Sequence, residues 1–306
     1  MSNSSAEVVI AANSLSRSYK DVQALKSLNI EVRRGEIFGF LGPNGAGKTT
    51  FVKLMLDFIA PSSGEIEILG DSPARLNRAR IGYLPERVSI HPFLTGRELM
   101  IYRGHLLGLE PASIQGRADE VLKEVHLEDA AHRRIATYSK GMQQRVGLGL
   151  ALMGRPELLI LDEPSSGLDP IGISQVREIM QAQRKQGVTI FFNSHQLLEV
   201  EKTCDRVGIL NKGTLVAQGA SAQLSTSRGV RFQLENINDD IVSYVHKLDS
   251  KASVEGNSVV MTVEDLEEER KLPARLVEKG GRLIKYEQRT ESLEDIFHRL
   301  IANSDN

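Results

Sequence analysis

The chain has 306 residues, 41% hydrophobic and 25% charged, with a formal net charge of -2 and a pI near 6.4. This composition suits one large globular domain with a smaller companion, and the lack of a basic excess argues against a nucleic-acid partner. Cys204 stands alone, so no internal disulfide can form, and one thiol fits a reducing compartment.

Residues 1–12 lack a basic start followed by an apolar core, so no secretory leader is expected. No stretch approaches the roughly 18 to 20 apolar residues that a membrane-spanning helix needs. Any membrane role is expected to come through a partner. From residue 8 to about 223, short β-rich runs alternate with helical stretches, which predicts an α/β domain. Residues 37–41 read as a buried strand, 49–58 as the helix after it, and 66–69 and 81–84 as further strands. A helical region is expected over 95–151. Residues 158–161 and 189–192 are strand-like, and 207–210 and 214–217 are expected to pair across Asn211, Lys212 and Gly213.

After residue 221 the character changes. Residues 225–229 read as a linker and 229–306 as a second domain. Its expected strands lie at 230–234, 252–255, 257–263 and 282–286, and its expected helices at 239–248, 264–279 and 292–301. This is βαββαβ-like, a ferredoxin-like α+β arrangement with a final helix. Pro273 is expected to break or kink its helix. Leu293, Ile296, Phe297 and Leu300 share one face of the last helix and are expected to dock it on its own domain.

The chemistry begins with Gly42-Pro43-Asn44-Gly45-Ala46-Gly47-Lys48-Thr49, followed by Thr50. It matches G-x-x-x-x-G-K-[ST] between an apolar strand and a helix. Glycines 42, 45 and 47 let backbone N–H groups converge on phosphate oxygens, and the helix start adds positive potential. Lys48 is expected on the β and γ phosphates and the Thr49 hydroxyl on Mg2+. A second signal is the apolar run 158–161 ending in Asp162 and Glu163. A buried strand closes on carboxylates only if the charge finds a partner. Asp162 is expected to hold Mg2+ and Glu163 to act as general base on water.

Between these motifs lies Tyr138-Ser139-Lys140-Gly141-Met142-Gln143-Gln144-Arg145. Here the chain resembles the ATP-binding cassette (ABC) family, whose signature is Leu-Ser-Gly-Gly-Gln. Ser139 and Gly141 match its serine and second glycine. Lys140 stands for the first glycine and Met142 for the glutamine. The resemblance covers about 8–223 and implies an ABC-type α/β nucleotide-binding domain with a helical subdomain. It implies ATP and Mg2+ as ligands, Tyr19 stacking on adenine, and Glu86 where the family has a magnesium-sensing glutamine. Ser166-Gly167-Leu168-Asp169 resembles the loop that crosses the dimer interface, so Asp169 is expected near nucleotide, and His195 resembles the switch histidine.

In this family the phosphate loop of one copy and the signature serine of another hold the same ATP. The resemblance therefore implies a second copy, or a related ATPase subunit, as partner. Glu86, the altered signature and the C-terminal extension resemble the ABC-2 type branch. They imply an integral membrane permease as second partner, with residues 86–109 facing it, at the cytoplasmic face of the membrane. Two other functions fit the sequence less well. A DNA-repair or translation ATPase would carry a long coiled coil or two cassettes, and a regulator without turnover would lack Glu163 or His195.

Overall fold

The innermost strands are apolar because both of their faces are covered. β3 (Ile37–Leu41), β6 (Leu158–Asp162) and β7 (Thr189–Ser194) are buried along their whole length. They run parallel, with β5 (Ile81–Leu84) beside β6 and β8 (Arg206–Asn211) beside β3. β9 (Thr214–Ala220) completes a six-stranded sheet of order β5-β6-β7-β3-β8-β9. Lys212 and Gly213 join β8 to β9 at φ 46° and 84°, the left-handed pair of a two-residue hairpin turn.

The computed structural model describes residues 7–221, 228–249, 252–263, 266–290 and 293–304. By contact the chain divides into two units, Met1–Gly219 and Ala220–Asn306. Of the sequence expectations, 225–227 of the linker, 222–223 of the first domain and the helix starts at 264 and 292 lie outside the described residues, as does the Leu293 side chain.

The first unit holds a second sheet that the sequence reading did not resolve. β1 (Val8–Tyr19) and β2 (Val22–Arg33) form a long antiparallel hairpin, and β4 (Ser63–Ile68) pairs with the other edge of β1. Its inward residues, including Ile10, Leu15, Leu28 and Ile30, are buried while many of their neighbours face water, as in an antiparallel sheet with one wet face.

The first helix, α1 (Lys48–Met55), ends before its expected limit at 58. Asp57 takes φ 58°, its N–H donates to Leu54 O, and the Phe58 N–H donates to Lys53 O at 2.8 Å. This is a Schellman stop with aspartate in the place glycine usually fills. The long helical region resolves into α2 (Gly96–Leu106), α3 (Pro111–Glu124) and α4 (Lys140–Leu152). Thr95 and Glu98 cap α2 reciprocally and Pro111 opens α3. α5 (Pro170–Lys185) and α6 (Leu197–Thr203) follow β6 and β7.

The second unit orders its strands β11-β12-β10-β13 (Ser253–Glu255, Ser258–Thr262, Arg228–Leu234, Leu283–Thr290), every neighbour antiparallel. With α7 (Asp239–Leu248) and α8 (Leu266–Glu278) between strands, this is the ferredoxin-like order. α8 runs through Pro273 to Glu278, so that proline does not break it. Phe232, Val259, Ile241, Val245, Leu272 and Leu276 form the core. In α9 (Leu293–Ser304) Ile296 is buried.

Phe191 sits at the centre of the first unit's aromatic cluster, with Phe38, Phe40 and Phe51 ring centres 5.5 to 6.0 Å away. Truncating it leaves a large void against side chains that cannot collapse into it. Phe191→Ala is expected to cost about 3–5 kcal/mol, read as a lowered denaturation midpoint in urea. A loss below about 1 kcal/mol would show a core that repacks freely.

Candidate functional site

Parallel strands bring their carboxyl ends to one edge, where ligands of open α/β sheets bind. Register sets the detail. Leu41 of β3 pairs with Ser194 of β7, and Asp162 of β6 pairs with Asn193. The chain leaving each strand therefore meets the others over one cavity of about 300 Å3. Its walls include Asn44, Gly45, Ala46, Gly47, Lys48, Thr49 and Thr50 from the first loop. Glu86, Asp162, Glu163 and His195 face them, with Ala24 and Ser166.

The loop before α1 is shaped by its glycines. Gly45 and Gly47 stand at φ 80° and 113°, conformations that other residues rarely take. Gly42 is needed for a different reason: a Cβ there would fall 2.4 Å from the Leu210 carbonyl oxygen. Gly47 has no side chain with which to cap α1. The first-turn N–H groups thus stay available to an anion. Lys48 is buried, and its Nζ donates to the carbonyls of Gly42 at 2.6 Å and Pro43 at 3.2 Å. Burial lowers its pKa, while Glu163 and Asp162 oppose that shift.

Across the cavity Asp162 is buried, and its Oδ1 accepts from Asn193 Nδ2 at 2.7 Å. Burial, then Glu163 and Glu86, push its carboxyl up to about 6. Glu163 takes φ 50°, a backbone state that costs a side-chain-bearing residue about 1–3 kcal/mol. Its N–H donates to Asn193 O at 3.1 Å. The half-exposed His195 places Nδ1 2.8 Å from Glu163 Oε2, where an N–H on that nitrogen donates to the carboxylate.

A magnesium–nucleotide complex fits these groups. Asp162, Glu86 and the Thr49 hydroxyl share one cavity, and close carboxylates raise the Asp162 pKa in a way a divalent cation would reverse. Among the described residues no three His, Cys, Asp or Glu side chains could cage a metal by themselves. Magnesium is usually held by one or two carboxylates together with phosphate oxygens and water.

Other predicted positions lie elsewhere. Tyr19 ends β1, 39% exposed, with the Arg17 guanidinium 4.8 Å from its ring centre. It does not line the cavity, nor do Ser139, Gly141 and Asp169. Ser139 caps α4, accepting from the Met142 N–H at 3.3 Å. Asp169 caps α5, accepting from the Gly172 N–H at 2.7 Å. The Lys140 amine covers Gly167, where a side chain at 167 would stand. Sequence reasoning missed Asn193 and Ala24. Asn193 had a signal, a lone amide closing the apolar run 189–192. Ala24 had none, because its place comes from the β1–β2 hairpin.

The chain is similar to proteins of known family. The family described as ABC transporter matches residues 25–166. Similarity extends along 96% of the chain to an uncharacterized ABC transporter ATP-binding protein, YxlF, of Bacillus subtilis (strain 168), 33% identical over 99% of that protein. The bacitracin transport ATP-binding protein BcrA of Bacillus licheniformis is 35% identical, covering 96% of this chain and 97% of its own. Among solved structures, an ATP-binding subunit of an ABC transporter superposes with TM-score 0.64 at 32% identity, over 71% of this chain and 91% of its own. With a third of its residues shared over nearly its full length with such proteins, the chain belongs to the ABC transporter family as an ATP-binding protein.

Proposed function

We propose that this chain hydrolyses MgATP as one of two cassettes that drive an ABC-2 type membrane transporter, an exporter. The observation that carries the proposal is the Glu163–His195 contact of 2.8 Å in the cavity that also holds Lys48 and Asp162. A carboxylate held by a histidine faces a cradle of phosphate donors. In that arrangement Glu163 takes a proton from water and His195 orients Glu163. Lys48 leaves the Gly42 and Pro43 carbonyls for the β and γ phosphates. Thr49, Asp162 and Glu86 would hold magnesium, which when bound neutralises phosphate charge.

Ser139 and Gly141 lie off this cavity. Their proposed place is on the nucleotide of a second copy, with Asp169 near the same seam. ATP then clasps two copies and its hydrolysis releases them. Tyr19 is proposed to offer its ring to adenine. The first domain, 8–223, would be the motor and 229–306 an accessory domain. No described helix is long and apolar enough to cross a membrane. Attachment to the cytoplasmic face would come through a permease, and similarity to a bacitracin transport protein supports that coupling.

Glu163→Gln is expected to keep MgATP binding while phosphate release falls by about 100-fold or more. On a sizing column with ATP it should run as a trapped dimer. A variant that stays monomeric while wild type dimerises would count against this trapping and against Glu163 as the base.

Asp162 gives a pH prediction. Its native pKa of about 6 lies above the ordinary 3.8. Between those values the native chain keeps a proton that the unfolded chain has released. The stability held below about pH 4 is therefore lost as pH rises through about 6. Asp162→Asn removes that loss. The nucleotide-free variant should be more stable than wild type by on the order of 1–3 kcal/mol at pH 8 and by less at pH 5, read as a raised unfolding temperature. Its magnesium-dependent turnover should fall sharply. Equal stability of the two proteins across this range would exclude a strained Asp162.

A further inference from the structure

Two links join the loop after β6 to the segment after β7. The outer one is Glu163–His195. The inner one is buried: Ser165 Oγ donates to Glu199 Oε1 on α6, with Ser165 2% and Glu199 4% exposed. The mechanism above uses neither residue. A carboxyl group so deep in the fold is destabilising unless it is paired, and burial raises its pKa. Glu199 Oε2 and Arg177 Nε are both buried without a hydrogen-bond partner. The bond from Ser165 is the side-chain hydrogen bond that Glu199 accepts, with the Arg177 and His195 charges nearby.

We propose that Glu199 is a positioning residue: through Ser165 it holds the loop that carries Glu163 and so sets the Glu163–His195 geometry. The proposal rests on the reading of Glu163 as general base. Its logic lies in the spacing. Ser165 is two residues beyond Glu163, and Glu199 is about one helical turn beyond His195. His195 stands two residues before α6 and Glu199 in its first turn, so both anchors come from one short segment. Its entry is fixed as well, because the Gln196 N–H donates to Ser194 Oγ at 3.0 Å. Glu163 needs such support. Its left-handed backbone, φ 50°, persists only where neighbours over-determine it. On the strand side the Glu163 N–H is held by Asn193 O. On the far side the Asp169 cap secures only the start of α5. Ser165–Glu199 is the side-chain anchor between them.

The experiment measures steady-state ATP turnover of the full chain with its permease, for wild type, Ser165→Ala, Glu199→Ala, the double variant and Glu199→Gln. Loss of the tether should lower kcat about tenfold or more in each alanine variant, with KM for ATP within about twofold, since the phosphate loop is untouched. The double variant should be no worse than the poorer single one, because both remove the same bond. Glu199→Gln keeps an acceptor for the serine and should retain kcat within about threefold of wild type. Ser165→Ala leaves almost no void, so it tests the idea even if Glu199→Ala folds poorly. Additive losses, a KM-only effect, or a glutamine variant as poor as alanine would each overturn the positioning role. Wild type without turnover would instead refute the reading of Glu163 on which the proposal stands.

Discussion

The site depends on the parallel register of three buried strands. Leu41 lies level with Ser194, and Asp162 with Asn193. Because side chains alternate along a strand, a slip of one residue would turn Asp162 away from Asn193 and move Glu163 off the loop of Lys48. The register is protected by the packing beneath it. Phe38, Phe40, Phe51 and Phe191 interlock across β3, β7 and α1, and such a core offers no second arrangement of equal density. Thus the apolar interior, which performs no chemistry, decides where the charged groups stand.

Those groups are arranged against their own stability. Asp162, Glu163 and Glu86 face one cavity, and Asp162 is hard to ionise there. Lys48 is buried against carbonyl oxygens. Each of these choices favours a ligand that brings both a divalent cation and phosphate oxygens. In the proposed function, the free energy this costs is returned when MgATP binds.

The helix starts illustrate the same economy. α1 begins at Gly47 with no capping side chain, so its amides can serve a ligand. α4 and α5 begin at Ser139 and Asp169, whose side chains close their own first turns. A hydroxyl that accepts from Met142 still has its own proton to donate. Cap and the proposed ligand contact are therefore compatible at Ser139, whereas at α1 a cap would occupy the place proposed for the phosphate.

Much of this was legible in the residues themselves. The glycine spacing before Lys48, the carboxylates closing an apolar run at Asp162 and Glu163, and the βαββαβ order after residue 228 are local patterns, and local sterics and periodicity produce them wherever they occur. Other features were not legible because they join positions far apart in the chain. The β1–β2–β4 sheet, the placing of Ala24 at the cavity, the amide of Asn193 on Asp162, and the buried Ser165–Glu199 bond all depend on which strand lies beside which. The sequence by itself determined which groups could carry phosphate chemistry, since that is a property of residue type and spacing. Only the tertiary structure decided which of them meet, since burial and register act between segments that the chain order keeps apart.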